Sequence, residues 1–269
     1  MSAYAYLIGW RVVRFLPEKF AYKLFYAIGD YVYRRNGKSI KRLKGNLQRV
    51  TKFDGVELDN LTKDAMRSYM RYWCDTFRFP DWSKSRIFDR VELIDSHFLT
   101  DPLDKGKGVV VALPHAGNWD HAAAYFLGRG YKAVTVAERL KPERLFQAFL
   151  KYRQDIGLEI LSTDMRTVPT LIDRAKNGFI IALVADRDLS SNGVEVDFFG
   201  GTAKMPAGPS LIAERAEVDL VGAFISYTSS GIKIKFSKLE KNVQAQANFF
   251  ATEIAKQPVD WHMLQRIWI

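Results

Sequence analysis

The stretch LPHAGNWDH places His115, Asp120 and His121 within seven residues. Histidine has an ordinary pKa of ~6.5, so it can take and return a proton near neutrality. A positioned base of this kind contributes roughly 10²–10⁴-fold to a rate, or about 3–5 kcal/mol of barrier. A nearby carboxylate can hold the imidazole in one tautomer and stabilise the imidazolium, as the orienting acid of a triad does. The other reading is a structural histidine followed by a helix-capping aspartate. As metal ligands the three residues fit poorly. His121 points to a different side of a helix from Asp120, and only His97 and His262 remain as further histidines. No G-x-S-x-G elbow, Walker A loop or H-E-x-x-H sequence offers a competing chemistry.

What His115 can do depends on the elements that hold it. KGVVVAL (107–113) reads as a buried strand whose ladder Pro114 ends. Gly117 loosens the turn. Asn118 suits the N-cap of a following helix, and Asp120 falls in its first turn, where the helix dipole favours an acid. In open α/β sheets ligands gather at the carboxyl ends of strands, and His115 stands at such an end. Further strands are expected at 132–137, 158–161, 179–185, 218–227 and 232–239, with helices at 118–127, 142–156, 166–176 and 208–216. Their alternation predicts an α/β fold with a twisted, mainly parallel sheet flanked by helices. The last two strands, joined by YTSSGIK, are expected to be antiparallel. Asp186 ends the strand FIIALVA and lies beside His115 if the two strands are neighbours. VDFFGGTAKMPAGP reads as a loop leading to a helix start, with Phe198 and Phe199 either in the core or along an apolar channel.

The first 85 residues read as helical. Two helices are expected over 4–35, broken near Pro17, a third in KSIKRLKGNLQRV and one or two over 57–80. One domain is expected over 1–269, comprising a membrane-facing helical region (1–85) and an α/β catalytic core (86–269). The formal net charge is +10, and residues 1–53 account for it, with twelve Lys and Arg against Glu18 and Asp30. So concentrated a basic surface suits an anionic membrane or a nucleic acid. Phe20, Leu24, Ala27, Ile28 and Tyr31 recur at helical spacing behind Lys19 and Lys23, the composition of an interfacial helix. The alternative is that these helices pack on the domain and show their charges to water. No nucleic-acid-reading signature appears, so no nucleic acid partner is expected. AYAYLIGW is too short, and too soon followed by Arg11 and Arg14, for a signal peptide or a spanning helix. The single Cys74 excludes an internal disulfide and reads as a buried thiol in a reducing compartment.

HAGNWD carries an H-x4-D motif. Around it stand, in order, GWRVVRFLPE, NLQRV, YMRYWCDTFRFP, AERLKPERLFQAFLKYRQDIGLEIL, ADRDLSSNGVEVDFFGG, KMPAGPSLIAERA and DWHMLQ. This ordered set, nearly end to end, resembles the actinobacterial phosphatidylinositol mannoside acyltransferases. They form a branch of the bacterial lipid A acyltransferases within the H-x4-D glycerolipid and lysophospholipid acyltransferases. The resemblance implies a palmitoyl group moving from acyl-CoA, a co-substrate, to the 6-hydroxyl of the inositol-2-linked mannose of phosphatidylinositol mono- or dimannoside. It implies no metal or cofactor, a hydrophobic acyl groove, and work at the cytoplasmic face of the plasma membrane by a peripheral protein. A monomer is expected. By motif position, His115 would deprotonate the mannose hydroxyl and then protonate the departing CoA thiolate. Asp120 completes H-x4-D. Asp186, in DRD, stands where the mannoside branch has the glutamate of an ERD block, so either acid is a candidate to orient His115. Arg153 matches an arginine that assists the oxyanion or the donor phosphates. Arg139 and Arg187 are candidates for holding anionic substrate, and Glu138 for the site wall. The rivals are acylation of another glycolipid or lysophospholipid hydroxyl, and a non-enzymatic module for anionic membranes.

Overall fold

The structure, a computed structural model, describes residues 12–137, 147, 150, 151, 153–162, 166–188 and 192–269. Helix α1 (Glu18–Arg35) begins directly after Pro17, whose ring fixes its own φ and cannot continue a helical ladder. It buries Ala21, Phe25 and Gly29. Gly29 lets it lie close to the long helix α3 (Gly55–Arg78), since a Cβ there would stand 3.1 Å from Met70 Cγ. Between them α2 (Lys38–Thr51) buries Ile40, Leu43 and Leu47. The stretch 57–80, expected to hold one or two helices, lies in α3 up to Arg78 and then in a single 3₁₀ turn at Phe79–Asp81, so one helix and its tight end occupy it. Cys74 is buried on α3, as the sequence suggested.

After the short α4 (Lys84–Phe88), the chain builds a seven-stranded sheet. Its strands are β1 (Val91–Ile94), β2 (Val109–Leu113), β3 (Lys132–Ala137), β4 (Glu159–Ser162), β5 (Phe179–Val184), β8 (Asp219–Tyr227) and β9 (Ile232–Leu239). Their order is β1-β9-β8-β2-β5-β3-β4. The five strands from β8 to β4 run parallel, and the β8–β9 pair is antiparallel, as expected. All five residues of β2 are buried, so the central strand is covered on both faces. Val110 and Ala112 face a core shared with α7 (Thr167–Lys176), α8 (Gly208–Arg215) and α9 (Val243–Lys256). Val109, Val111 and Leu113 face the opposite core, with α5 (His97–Asp104) and α6 (Trp119–Gly128). This is a mainly parallel α/β sheet between helical layers, with helices at the N-terminal side.

One segment differs from the sequence reading. The expected loop over VDFFGGTAKMPAGP contains a hairpin of β6 (Val194–Phe198) and β7 (Gly201–Met205). Phe199 (φ 50°) and Gly200 (φ 69°) both take the left-handed conformation of a tight two-residue hairpin turn. Phenylalanine is an unusual residue there, so the sequence carries no turn signal at this point. Phe198 is 1% exposed and Phe199 packs on the same core cluster, so both serve packing. The helix expected over 142–156 lies largely outside the described residues.

Candidate active site

Strand register brings the site together. β2 and β5 are parallel neighbours, with Leu113 opposite Val184, and Ala185 N–H donates to Leu113 C=O at 2.8 Å. Two residues past each end of that ladder stand His115 and Asp186. Asp186 Oδ1 lies 2.6 Å from His115 Nδ1, and Oδ2 accepts the His115 backbone N–H at 3.0 Å. The same Oδ2 accepts the indole N–H of Trp261 at 2.9 Å. Asp186 is fully buried, and burial pushes its carboxyl pKa upward. The charge of His115 and the hydrogen bonds from His115 and Trp261 outweigh that, holding the carboxyl below its ordinary value. A carboxylate so held favours the imidazole proton on Nδ1, the tautomer in which Nε2 is able to accept a proton.

The turn after β2 needs glycine. Gly117 has φ 58°, and a Cβ on it would sit 2.5 Å from the Ile225 carbonyl oxygen. Asn118 then caps α6 through its side chain, which accepts the His121 N–H at 3.0 Å. Asp120 follows in the first turn, but turns away from His115. Its oxygens accept Arg153 Nε at 2.8 Å and Nη2 at 3.2 Å, and the Tyr72 hydroxyl at 3.2 Å. His121 Nε2 lies 2.9 Å from the Ile87 carbonyl, away from the site. In the structure, then, Asp186 meets His115 and Asp120 holds Arg153.

His115, Arg153 and Arg187 line one cleft of about 480 Å³, together with Tyr69, Tyr72, Trp119 and His262. Arg187 donates to the Gln265 side chain, also in the cleft wall. A second, apolar pocket runs between the sheet and α6, walled by Leu113, Ala123, Phe126, Ile180, Ala223 and Phe236. The two share Trp119, Val136, Arg153 and Val184, so the apolar pocket adjoins the space beside His115. Glu138 and Arg139 lie outside the described residues. Sequence reasoning assigned no role to Trp261, His262 and Tyr72. The tail is 75 positions from Asp186 along the chain, and no local pattern marks a tryptophan as the donor to a distant carboxylate.

This geometry can accommodate proton transfer at Nε2, with an apolar chain seated on one side and polar substrate on the other. Residues 1–269 match the family described as bacterial lipid A biosynthesis acyltransferase. The chain is 38% identical to phosphatidylinositol mannoside acyltransferase of Mycolicibacterium smegmatis, over 98% of this chain and 90% of that one. It is 36% identical to the protein of the same name from Mycobacterium tuberculosis, strain H37Rv, over 99% of this chain and 88% of that one. The chain belongs to the bacterial lipid A biosynthesis acyltransferase family and is an acyltransferase.

Proposed function

We propose that the protein transfers a palmitoyl group from acyl-CoA to the 6-hydroxyl of the inositol-2-linked mannose of a phosphatidylinositol mannoside. The observation that carries this reading is the contact between the two cavities. A base held by a buried carboxylate faces a polar cleft, and an apolar pocket of acyl-chain character opens beside it. The relatives' names supply the lipid class.

In this reading His115 Nε2 takes the proton of the mannose hydroxyl while Nδ1–H stays on Asp186. The alkoxide attacks the thioester carbonyl, and the carbon–sulfur bond breaks. The CoA thiolate then receives the proton from Nε2, giving an ester and free CoA thiol. Asp186 stabilises the imidazolium between these two transfers. Arg153, fixed by Asp120 at the neck between the cavities, supplies positive charge near the developing oxyanion or the donor phosphates. Arg187 contributes charge on the cleft's other wall, toward the anionic acceptor.

The enzyme would work as a peripheral protein on an anionic membrane. Helix α1 is apolar on two sides. Ala21, Phe25 and Gly29 are buried, while Phe20, Leu24, Ile28 and Tyr31 form an exposed stripe. Lys19, Lys23, Arg34 and Arg35 are exposed beside it. No helix among the described residues is long and apolar enough to cross a bilayer. An exposed apolar stripe with basic flanks suits the headgroup region. The testing experiment incubates purified protein with palmitoyl-CoA and phosphatidylinositol mono- and dimannosides and fragments the products by mass spectrometry. Palmitate on a mannose is expected. Acylation of a glycerol or lysophospholipid hydroxyl alone would replace this reading.

A further inference from the structure

Asp75 is buried on α3, and the transfer just described makes no use of it. Its carboxylate nevertheless joins the start of α1 to the turn that carries His115. Oδ1 accepts the hydroxyl of Tyr22 at 2.6 Å, and the Tyr22 oxygen in turn accepts Arg86 Nη2 at 3.1 Å. Oδ2 accepts the side-chain N–H of Asn118 at 3.4 Å. Asn118 is fully buried, caps α6 and stands three residues after His115. Arg86 also pairs with Glu18, whose carboxylate accepts Arg90 Nη1 at 3.0 Å. The start of α1 is thus fastened to the scaffold of the site by an acid and a hydroxyl, while Phe20, Leu24 and Ile28 of the same helix are exposed.

An amide has one accepting end and one donating end. To cap α6, Asn118 must aim Oδ1 at the His121 N–H, 3.0 Å away. Its NH₂ then faces Asp75, and a carboxylate, which only accepts, suits that end alone. Asp75 therefore selects the amide orientation that closes the turn. The place of Asn118 sets that of its neighbours. Trp119 meets the His115 ring edge-on, with centroids 6.0 Å apart, and packs on Tyr72 at 4.3 Å. On the other side, Gly117 lies against the Ile225 carbonyl and leaves little room to absorb a shift. Burial pushes the Asp75 pKa above the ordinary carboxyl value, and Tyr22, Arg71 and Arg86 limit the rise. A buried polar network of this kind adds little net stability, since well-packed apolar side chains often serve as well. What a fully connected network supplies is one geometry in place of several.

We propose that Asp75 is a positioning residue: tied to α1 through Tyr22, it holds the Asn118 amide and so fixes the turn that presents His115 to the reacting hydroxyl. This inference rests on His115 as the base, proposed above. Asp75 touches neither substrate nor base, and acts through Asn118.

The test follows CoA thiol release from palmitoyl-CoA with phosphatidylinositol mannoside, per folded protein and well below each variant's unfolding midpoint. Asn118→Asp keeps an oxygen for the cap but sets a second carboxylate against Asp75. Its kcat is expected to fall about 10- to 100-fold, the scale of a misplaced reacting group, with donor KM unchanged. Adding Asp75→Asn restores a donor facing an acceptor with the polarity reversed, and should return kcat to within about threefold of wild type. Tyr22→Phe, which leaves the cap untouched, should lose kcat severalfold with KM unchanged, and it decides the matter if Asn118→Asp does not fold. A residue needed only for stability would lower the unfolding midpoint and leave the kcat of the folded protein alone. Near wild-type kcat in folded Asn118→Asp or in Tyr22→Phe, or no recovery in the double variant, overturns the role of Asp75. His115→Ala in the same assay separates the two readings: if it transfers at the wild-type rate, the base assignment falls and this inference with it.

Discussion

Replacing Asp186 by asparagine changes no side-chain volume to speak of, but it removes one of two acceptor oxygens. In the native protein Oδ1 faces His115 Nδ1 at 2.6 Å, and Oδ2 faces two N–H donors, those of His115 and Trp261. An amide must turn its NH₂ toward one side. Turned toward Oδ2's partners, it opposes two donors. Turned toward Nδ1, it keeps both of those bonds and forces the imidazole to carry its proton on Nε2. The second orientation wins, because it loses one interaction and not two. His115 then offers the reacting hydroxyl a proton donor, not a base. The positive charge that develops on the ring also loses its buried counterion. Removing the base contribution costs roughly 10²–10⁴-fold, and the lost imidazolium stabilisation acts in the same direction, so kcat is expected to fall by about 10²-fold or more. The assay is release of CoA thiol from palmitoyl-CoA in the presence of mannoside. Donor KM should change little, since Asp186 is fully buried and does not reach the cleft. Thermal unfolding of the variant checks that the fold persists. A folded Asp186→Asn enzyme with kcat within about fivefold of wild type would refute the tautomer reasoning, whose smallest expected loss is ~10²-fold.

Arg153→Met leaves the Asp120 carboxylate buried with Tyr72 alone, among the described residues, to donate a side-chain hydrogen bond to it, a loss of about 3–5 kcal/mol in urea unfolding. Adding Asp120→Asn should recover much of that loss, and a fully additive double variant would contradict the pairing. Acid should weaken the fold through buried histidines. Burial, only partly countered by the Ile87 carbonyl, pushes the His121 pKa down to about 4. Below the unfolded value of ~6.5, the unfolded chain therefore takes up a proton that the folded chain refuses. This contribution is present above pH ~6.5 and is lost toward pH 4. His121→Phe should accordingly flatten the slope of stability against pH by about 1.3 kcal/mol per unit near pH 5, and an unchanged slope would place that proton elsewhere. Charge reversal at Lys19, Lys23, Arg34 and Arg35 should weaken partitioning onto phosphatidylserine-containing vesicles by about 10³-fold at low salt, with the gap narrowing as salt rises. Unchanged co-sedimentation would detach the basic surface from membranes.

Much of the site was legible because periodicity and register are encoded locally. VVVAL reads as a strand buried on both faces, and FIIALV has the same character. Once the two are neighbours in register, His115 and Asp186 meet without further assumption. Asn118 as a cap and Asp120 in the first turn follow from helix-end chemistry alone. The motif misleads in one respect. H-x4-D sets Asp120 close to His115 along the chain, but the first turn of α6 carries the acid round to Arg153 and Tyr72. What sequence could not supply were contacts closed by the tail. Trp261 reaches Asp186, and Asp260 reaches Ser68 across 192 positions. Edge strand β1 has only four residues with alternating partial exposure, too little apolar signal to stand out. The β6–β7 hairpin turns on a phenylalanine where asparagine or glycine would have announced it.

The proposed transfer depends above all on His115 as the base. The decisive measurement is the rate of palmitoyl transfer to mannoside by His115→Ala, with product quantified by mass spectrometry and vesicle binding followed in parallel. Transfer reduced by at least about 10²-fold with binding to vesicles intact is the predicted result. Transfer at near wild-type rate by a folded, membrane-bound His115→Ala protein would contradict it.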